Sequence, residues 1–182
     1  MKKSNTMMAV PLVIFIVFLW FLWKGLSNDP RILESVLINK PLPQFSIESL
    51  KDKNIIIQSE AMPKTSYLLN VWATWCPSCR AEHQYLGKLK QQGISIIGIN
   101  YKDEREAAIA WLQQLGDPYQ LVVYDEAGQL GIDLGVYGAP ETYLVDALGK
   151  IRYRHAGPMD ETVWQSQFLP RINRLGKLGG KQ

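Results

Sequence analysis

The chain has few of the residues that build metal centres or disulfide frameworks: its 182 residues contain two cysteines, Cys76 and Cys79, and two histidines, His83 and His155. A bridge across the two residues between the cysteines would close a tiny loop and remove little chain entropy, which makes a poor staple. Zinc could take Cys76, Cys79 and His83, but a closed four-ligand site would still need His155 or a carboxylate. No metal site is therefore assigned. Acidic residues are missing from the start of the chain, the first being Asp29, and Lys2, Lys3 and Lys24 account for the excess of 20 basic over 17 acidic residues. No basic stripe interleaved with aromatics occurs, so the charge argues for membrane topology and against nucleic acid. Repeats and low-complexity segments are absent. At 47% hydrophobic and 20% charged residues, the composition suits one globular domain with an appendage.

The appendage is the unbroken apolar run Met7–Trp23. As a helix it spans about 26 Å, within the usual range for crossing a ~30 Å hydrocarbon core. Trp20, Phe21 and Trp23, followed by Lys24, suit an interfacial belt, and Pro11 lies near the start, where it costs a helix least. Lys2 and Lys3 on the other side place the N-terminus in the cytoplasm and the bulk of the chain outside. A cleaved signal peptide is the rival reading. Gly25–Leu26–Ser27 is a weak small-x-small site, but the run exceeds the usual ~7–15 apolar residues and is heavy with tryptophan. The expected layout is a cytoplasmic N-terminus at 1–6, an anchor at 7–24, a tether at 25–42, one domain at 43–176 and a frayed tail at 177–182.

The stretch Leu68–Cys79 organises the domain. Its first half is apolar and β-branched, and reads as a buried strand. From Pro77 or Ser78 onward Cys79, Glu82, His83, Leu86 and Leu89 recur at helical spacing. A C-x-x-C where a strand hands over to a helix puts the first thiol at orphan N–H groups and the positive end of the helix dipole. That favours a thiolate at Cys76, with Cys79 one turn away to resolve a mixed disulfide. The helix should run to about Gln92 and stop at Gly93.

Around it, Phe45–Ser49 and Ile55–Gln58 read as a hairpin, and Ile94–Asn100 as a strand covered on both faces. Asp103 is placed to cap a helix ending at Gly116, and Leu121–Tyr124 is a short strand. After the turn Gly135–Pro140, Glu141–Asp146 and Ile151–His155 form a second hairpin. Asp160 can cap a last helix that Pro170 kinks or divides. Alternating strands and helices of this length imply an α/β fold: parallel pairing with crossover helices, a mixed sheet, and helices on both faces.

Two strings carry a resemblance: Asn70–Val71–Trp72–Ala73–Thr74–Trp75–Cys76–Pro77–Ser78–Cys79–Arg80–Ala81–Glu82–His83 and Gly135–Val136–Tyr137–Gly138–Ala139–Pro140–Glu141–Thr142. They resemble the thioredoxin-like superfamily and, within it, the membrane-anchored periplasmic thiol–disulfide reductases of bacterial cytochrome c maturation, the CcmG/DsbE family. The similarity covers anchor and domain. It implies a thioredoxin-like fold and a reductant acting on apocytochrome c or a maturation partner before haem attachment. It also implies recharging by a membrane thiol-electron carrier, an inner-membrane, periplasm-facing location and no cofactor. Haem belongs to the pathway, since Arg80 follows Cys79 and no C-x-x-C-H occurs.

Residue by residue, the resemblance makes Cys76 and Cys79 catalytic and Pro140 the cis-proline facing the dithiol. A groove from Trp75 and Pro77 to Ala139–Pro140 would hold an extended substrate segment, with an ordinary trans turn as the alternative at Pro140. Glu82 matches an acidic residue that tunes the redox poise, or else it merely complements the helix dipole. Glu141 either tunes the site by lining the groove or faces solvent. Two departures stand out. Asn70 occupies the position of a buried aspartate in many thioredoxins, so the Cys79 proton must leave another way, through Glu82 or water. Pro158 occupies a position where the family carries an acid, with Asp160 two residues on. His83, His155, Trp72 and Trp75 read as packing residues, and Arg80 as a solvated or substrate-facing charge. A periplasmic oxidase or general reductant, and a non-catalytic apocytochrome-binding module, remain alternatives.

Overall fold

A computed structural model describes residues 4–26 and 37–179, with side chains described for 10–23 and 37–176. The expected cytoplasmic N-terminus lies partly outside the described residues, as do most of the tether and the end of the tail. Two compact units result, Met1–Ile32 and Leu33–Gln182.

The described residues of the first unit form one helix, α1 (Ser4–Leu26), with Pro11 inside it. Every described side chain from Val10 to Trp23 is exposed, so this helix offers apolar surface on all sides. Those described side chains cover about 21 Å of helix. Among the described residues no helix is long and apolar enough to cross a membrane.

The second unit is built on a mixed five-stranded sheet of order β5-β4-β3-β6-β7. Its strands are β3 (Tyr67–Trp72), β4 (Ile96–Tyr101), β5 (Leu121–Asp125), β6 (Glu141–Val145) and β7 (Ile151–Ala156). β3, β4 and β5 run parallel, while β6 pairs antiparallel with β3 and β7. A separate hairpin joins β1 (Ser46–Glu48) to β2 (Ile56–Gln58). α2 (Pro77–Gln91) and α3 (Arg105–Leu115) are the crossovers between the parallel strands.

β3 is buried throughout, and its side chains alternate between two cores. Leu68 and Trp72 join Leu86 and Leu89 of α2, Trp111 and Leu112 of α3, and Trp164 and Phe168 near the C-terminus. Tyr67, Leu69 and Val71 face the other core, with Ile57, Leu130 and Leu134. At about 25 cal/mol per Å² of buried apolar surface, these two layers supply the main driving force for folding.

Both sheet edges are partly covered, which shortens the strand edge open to pairing. The Leu50 amide donates to Val122 O (3.0 Å) on β5, and the Asn39 and Leu42 amides donate to Ile151 O (2.7 Å) and Gly149 O (2.8 Å) at β7. Residues 37–42, assigned to the tether from sequence, are thus stitched onto the sheet.

Two local expectations change and a third holds. A short helix, α4 (Gln129–Leu134), follows β5 where no element was anticipated. The Asp125 carboxylate holds its first turn, accepting from the Leu130 (3.2 Å) and Gly131 (2.8 Å) amides. Asp103 does not cap α3; Glu104 occupies that position and makes no side-chain capping bond. The last helix is divided, as Pro170 suggests. Asp160 caps α5 (Glu161–Val163), a π-helical turn spans Trp164–Phe168, and α6 (Leu169–Gly179) follows. Proline has no amide to return to the preceding turn, which favours a register change there.

Candidate active site

Cys76 is the N-cap of α2 and Pro77 its first residue, a position where the missing proline amide costs nothing. The two cysteines form a disulfide with Cα atoms 5.3 Å apart, and the Cys79 amide donates to Cys76 Sγ at 3.0 Å. The helix end therefore delivers an N–H to the sulfur predicted to become the thiolate. Both sulfurs lie in the core on the Trp72 face of the sheet, and half-buried Ala139 packs against that cluster. The Ala139–Pro140 bond is cis, which removes the trans-turn alternative. Because Val71 pairs with Glu141, Pro140 lies at the end of β3 from which Cys76 emerges. Trp75 (53% exposed) and Pro77 are exposed beside the buried sulfurs.

Glu82 stands one turn after Cys79 and is 1% exposed. Its Oε1 accepts from Asn70 Nδ2 (2.9 Å) and its Oε2 from the Met159 amide (2.7 Å). Burial pushes its pKa up to about 7 against the pull of those two donors, so neutral pH is where it titrates. Asn70, which cannot ionise, also donates to Thr142 Oγ1 (3.0 Å) and accepts from the Tyr119 hydroxyl (2.9 Å). Tyr119 stacks on Trp72. Gly98 makes room for both rings, since a Cβ there would lie 3.0 Å from Trp72 Nε1 and from Tyr119 Cγ. A helix-dipole carboxylate would be exposed; the burial of Glu82 removes that simpler reading.

Glu141 corrects both of its alternatives, for it neither lines an open groove nor meets solvent. It is 2% exposed and paired with Arg154, whose Nε (2.9 Å) and Nη2 (2.8 Å) grip its two oxygens. The Tyr143 hydroxyl (2.9 Å) and the Tyr137 amide (2.9 Å) also donate to it. A carboxylate compensated in this way exerts little net field on the dithiol, so a redox-tuning role for it loses its physical basis.

The histidines pack, as expected. The indole N–H of Trp111 donates to His83 Nδ1 (3.3 Å), which leaves Nε2 as the donor to Gly116 O (2.8 Å). Burial lowers the pKa of this neutral ring. His155 lies near Gln167 Oε1 at 3.1 Å. The Arg80 guanidinium sits 4.3 Å over the Trp111 ring while staying exposed. Asp160 gives its carboxylate to the Val163 amide and does not substitute for the acid absent at Pro158.

Three residues that hold the surroundings of the dithiol carry no reading in the sequence that matches their contacts. Tyr119 carries no local signal. Arg154 could have been found from the second hairpin, because Tyr143 pairs with Arg154 and that register brings Glu141 to the same face. Asp103, expected to cap a helix, instead binds the turn ahead of Cys76.

The Redoxin family model matches residues 37–168. The thiol:disulfide interchange protein DsbE of Yersinia pestis is 52% identical over 175 residues, 93% of either chain. Its Escherichia coli K12 counterpart is 49% identical over 183 residues, 97% of this chain and 98% of the relative. The fold matches a secreted thiol-disulfide isomerase from Corynebacterium glutamicum, with a TM-score of 0.66 at 21% identity over 80% of this chain and 96% of that one. A thio-disulfide isomerase from Thermus thermophilus gives a TM-score of 0.59 at 22% identity, over 74% and 96%. With its dithiol at a helix N-terminus beside a cis-proline, this chain belongs to the redoxin family, among the DsbE thiol:disulfide interchange proteins.

Proposed function

We propose that this thiol-disulfide oxidoreductase works as a reductant in the periplasm, keeping the haem-attachment cysteines of apocytochrome c, or a partner in cytochrome c maturation, in the thiol state. The Cys76 thiolate attacks a substrate disulfide, forming a mixed disulfide and releasing one substrate thiolate. Cys79 then loses its proton and attacks Cys76 Sγ, releasing the second substrate thiolate and closing Cys76–Cys79. The two protons of the dithiol end on the two substrate thiols, and two electrons pass to the substrate. An extended substrate segment would lie between Trp75–Pro77 and Ala139–Pro140, held by backbone hydrogen bonds.

The observation that carries the direction is Glu82, a carboxyl buried one turn from Cys79 and held by neutral donors. When ionised it destabilises a neighbouring thiolate. Strong oxidants of this chemistry owe their potential to a stabilised reduced form, so an acid in this place favours the disulfide and makes the dithiol reducing. The two matching strings support the cytochrome c context. The run Met7–Trp23, flanked by Lys2, Lys3 and Lys24, supports a single uncleaved inner-membrane anchor with the N-terminus in the cytoplasm. A membrane thiol carrier would then return electrons to the oxidised pair.

The deciding experiment is the equilibrium reduction potential of the full chain in mild detergent against glutathione and thioredoxin buffers. A value in the thioredoxin-to-glutaredoxin range, about −270 to −200 mV, is expected. A value near the roughly −120 mV of DsbA would overturn the reductant reading and favour an oxidase.

A further inference from the structure

The turn Ala73–Thr74–Trp75, which presents Cys76, is gripped by a loop from another part of the chain. Asp103, in the β4–α3 connection, takes the Thr74 amide on Oδ2 (2.6 Å) and the Thr74 hydroxyl on Oδ1 (2.5 Å). The same two oxygens accept from Asn100 Nδ2 (2.8 Å) and the Glu104 amide (2.9 Å). The neighbouring Lys102 carbonyl accepts the Trp75 indole N–H at 2.9 Å. The exposed ring beside the nucleophile is therefore anchored through its indole N–H.

The gripping loop is itself held from below. The Lys102 amide donates to Asp125 O (3.0 Å) and the Tyr124 hydroxyl to Asp103 O (2.9 Å), both from the end of β5. Lys102 has φ +48°, a left-handed conformation that a non-glycine residue keeps only when its surroundings impose it. Those surroundings include two glycines flanking the start of α4. A Cβ on Gly128 would come within 2.2 Å of Lys102 Cε, and one on Gly131 within 2.4 Å of Tyr101 Cε2. Gly128 also has φ +75°. The space those glycines leave is filled by the side chains that set the loop.

We propose that Asp103 is a positioning residue for the interchange reaction: through Thr74 it holds the turn that aims Cys76 Sγ along the approach of a substrate disulfide. The attacking thiolate must meet the disulfide in line, and an error of about 1 Å at a reacting atom can cost about 100-fold in rate. Two donors from Thr74 tie the turn to a carboxylate that Asn100 and the Glu104 amide hold in place, so the turn is more restrained than a free loop would be. The inference rests only on thiol:disulfide interchange by Cys76 and not on the direction of electron flow.

The test uses the full chain, reduced, in mild detergent, reacting with glutathione disulfide at a pH where Cys76 is fully thiolate and a temperature well below unfolding. The second-order rate per folded molecule is read for wild type, Asp103→Ala, Asp103→Asn and Thr74→Val. Asp103→Ala should slow exchange about 10- to 100-fold. Asp103→Asn keeps an acceptor for the Thr74 amide and should stay within about 3-fold of wild type, while Thr74→Val, losing the hydroxyl alone, should fall between them. A residue that only stabilises the fold would lower the melting temperature without changing the rate per folded molecule. Rates within about 2-fold of wild type for both Asp103→Ala and Thr74→Val would overturn the proposal. If Asp103→Ala fails to fold, Thr74→Val alone decides it.

Discussion

Two carboxyl groups lie buried near the dithiol, one on the central sheet and one on α2, and their environments differ in kind. Glu141, on the β6–β7 side, meets a guanidinium in two parallel hydrogen bonds and receives two neutral donors besides. Glu82, on the α2 side, is equally inaccessible, but its hydrogen bonds come from an amide side chain and a backbone N–H. Burial alone therefore does not decide whether a carboxyl carries charge. The partners decide, because desolvation disfavours the charged form, and hydrogen-bond donors and opposite charge at contact distance offset it. The paired glutamate is tied to a guanidinium; burial pushes the pKa of the other, one turn after Cys79, up to about 7.

The strongest way to break this contrast is to remove the cation. Arg154→Met should leave Glu141 as an uncompensated buried charge and destabilise the oxidised protein by about 3–5 kcal/mol, read from the urea midpoint at neutral pH. A loss below about 1 kcal/mol would mean that the pair is solvated after all.

Glu82 should show itself through pH. Its folded pKa is raised from 4.5 to about 7, so the native state binds the proton more tightly than the unfolded chain does. Stability from this group is fully present below about pH 4.5 and is lost as pH rises through 7, a fall of about 3 kcal/mol across the window. Denaturant titrations at successive pH values should show that slope in wild type. In Glu82→Gln it should disappear, and an unchanged slope would assign the titration elsewhere.

Tyr119→Phe removes one donor from the amide that holds Glu82 and leaves the Asn70 carbonyl without its phenol. The expected loss is about 1–2 kcal/mol, with the Glu82 titration displaced in the same pH series. A shift in stability without displacement would separate packing from control of the acid. Asp160→Ala supplies the exposed third case. Its carboxylate only caps a helix, so about 1 kcal/mol should go, with the thiol exchange rate unchanged.

Much of this was legible along the chain. The strand–turn–helix around Cys76 and Cys79, both hairpins and the Asp160 cap follow from spacings of a few residues, where local geometry and side-chain pattern act together. α4 was not legible, since its first turn is held by Asp125 at the end of the preceding strand and its apolar residues are too few to show a period. Asp103 illustrates the limit in another form. An aspartate ahead of a helix reads as a cap, yet its carboxylate is taken by a turn 29 residues earlier in the chain.

By itself the sequence determined the chemistry. A C-x-x-C after an apolar strand, with no third cysteine, favours disulfide exchange over a structural bridge or a metal site, because helix-end dipoles and thiol spacing are local properties. Tertiary structure alone decided the electrostatics of the site. Glu82 meets an amide 77 residues away, and Glu141 meets an arginine on the next strand. A carboxyl's charge in the interior depends on which donors and cations the fold brings within about 3 Å, through an interaction that low dielectric makes strong and short spacing along the chain does not encode.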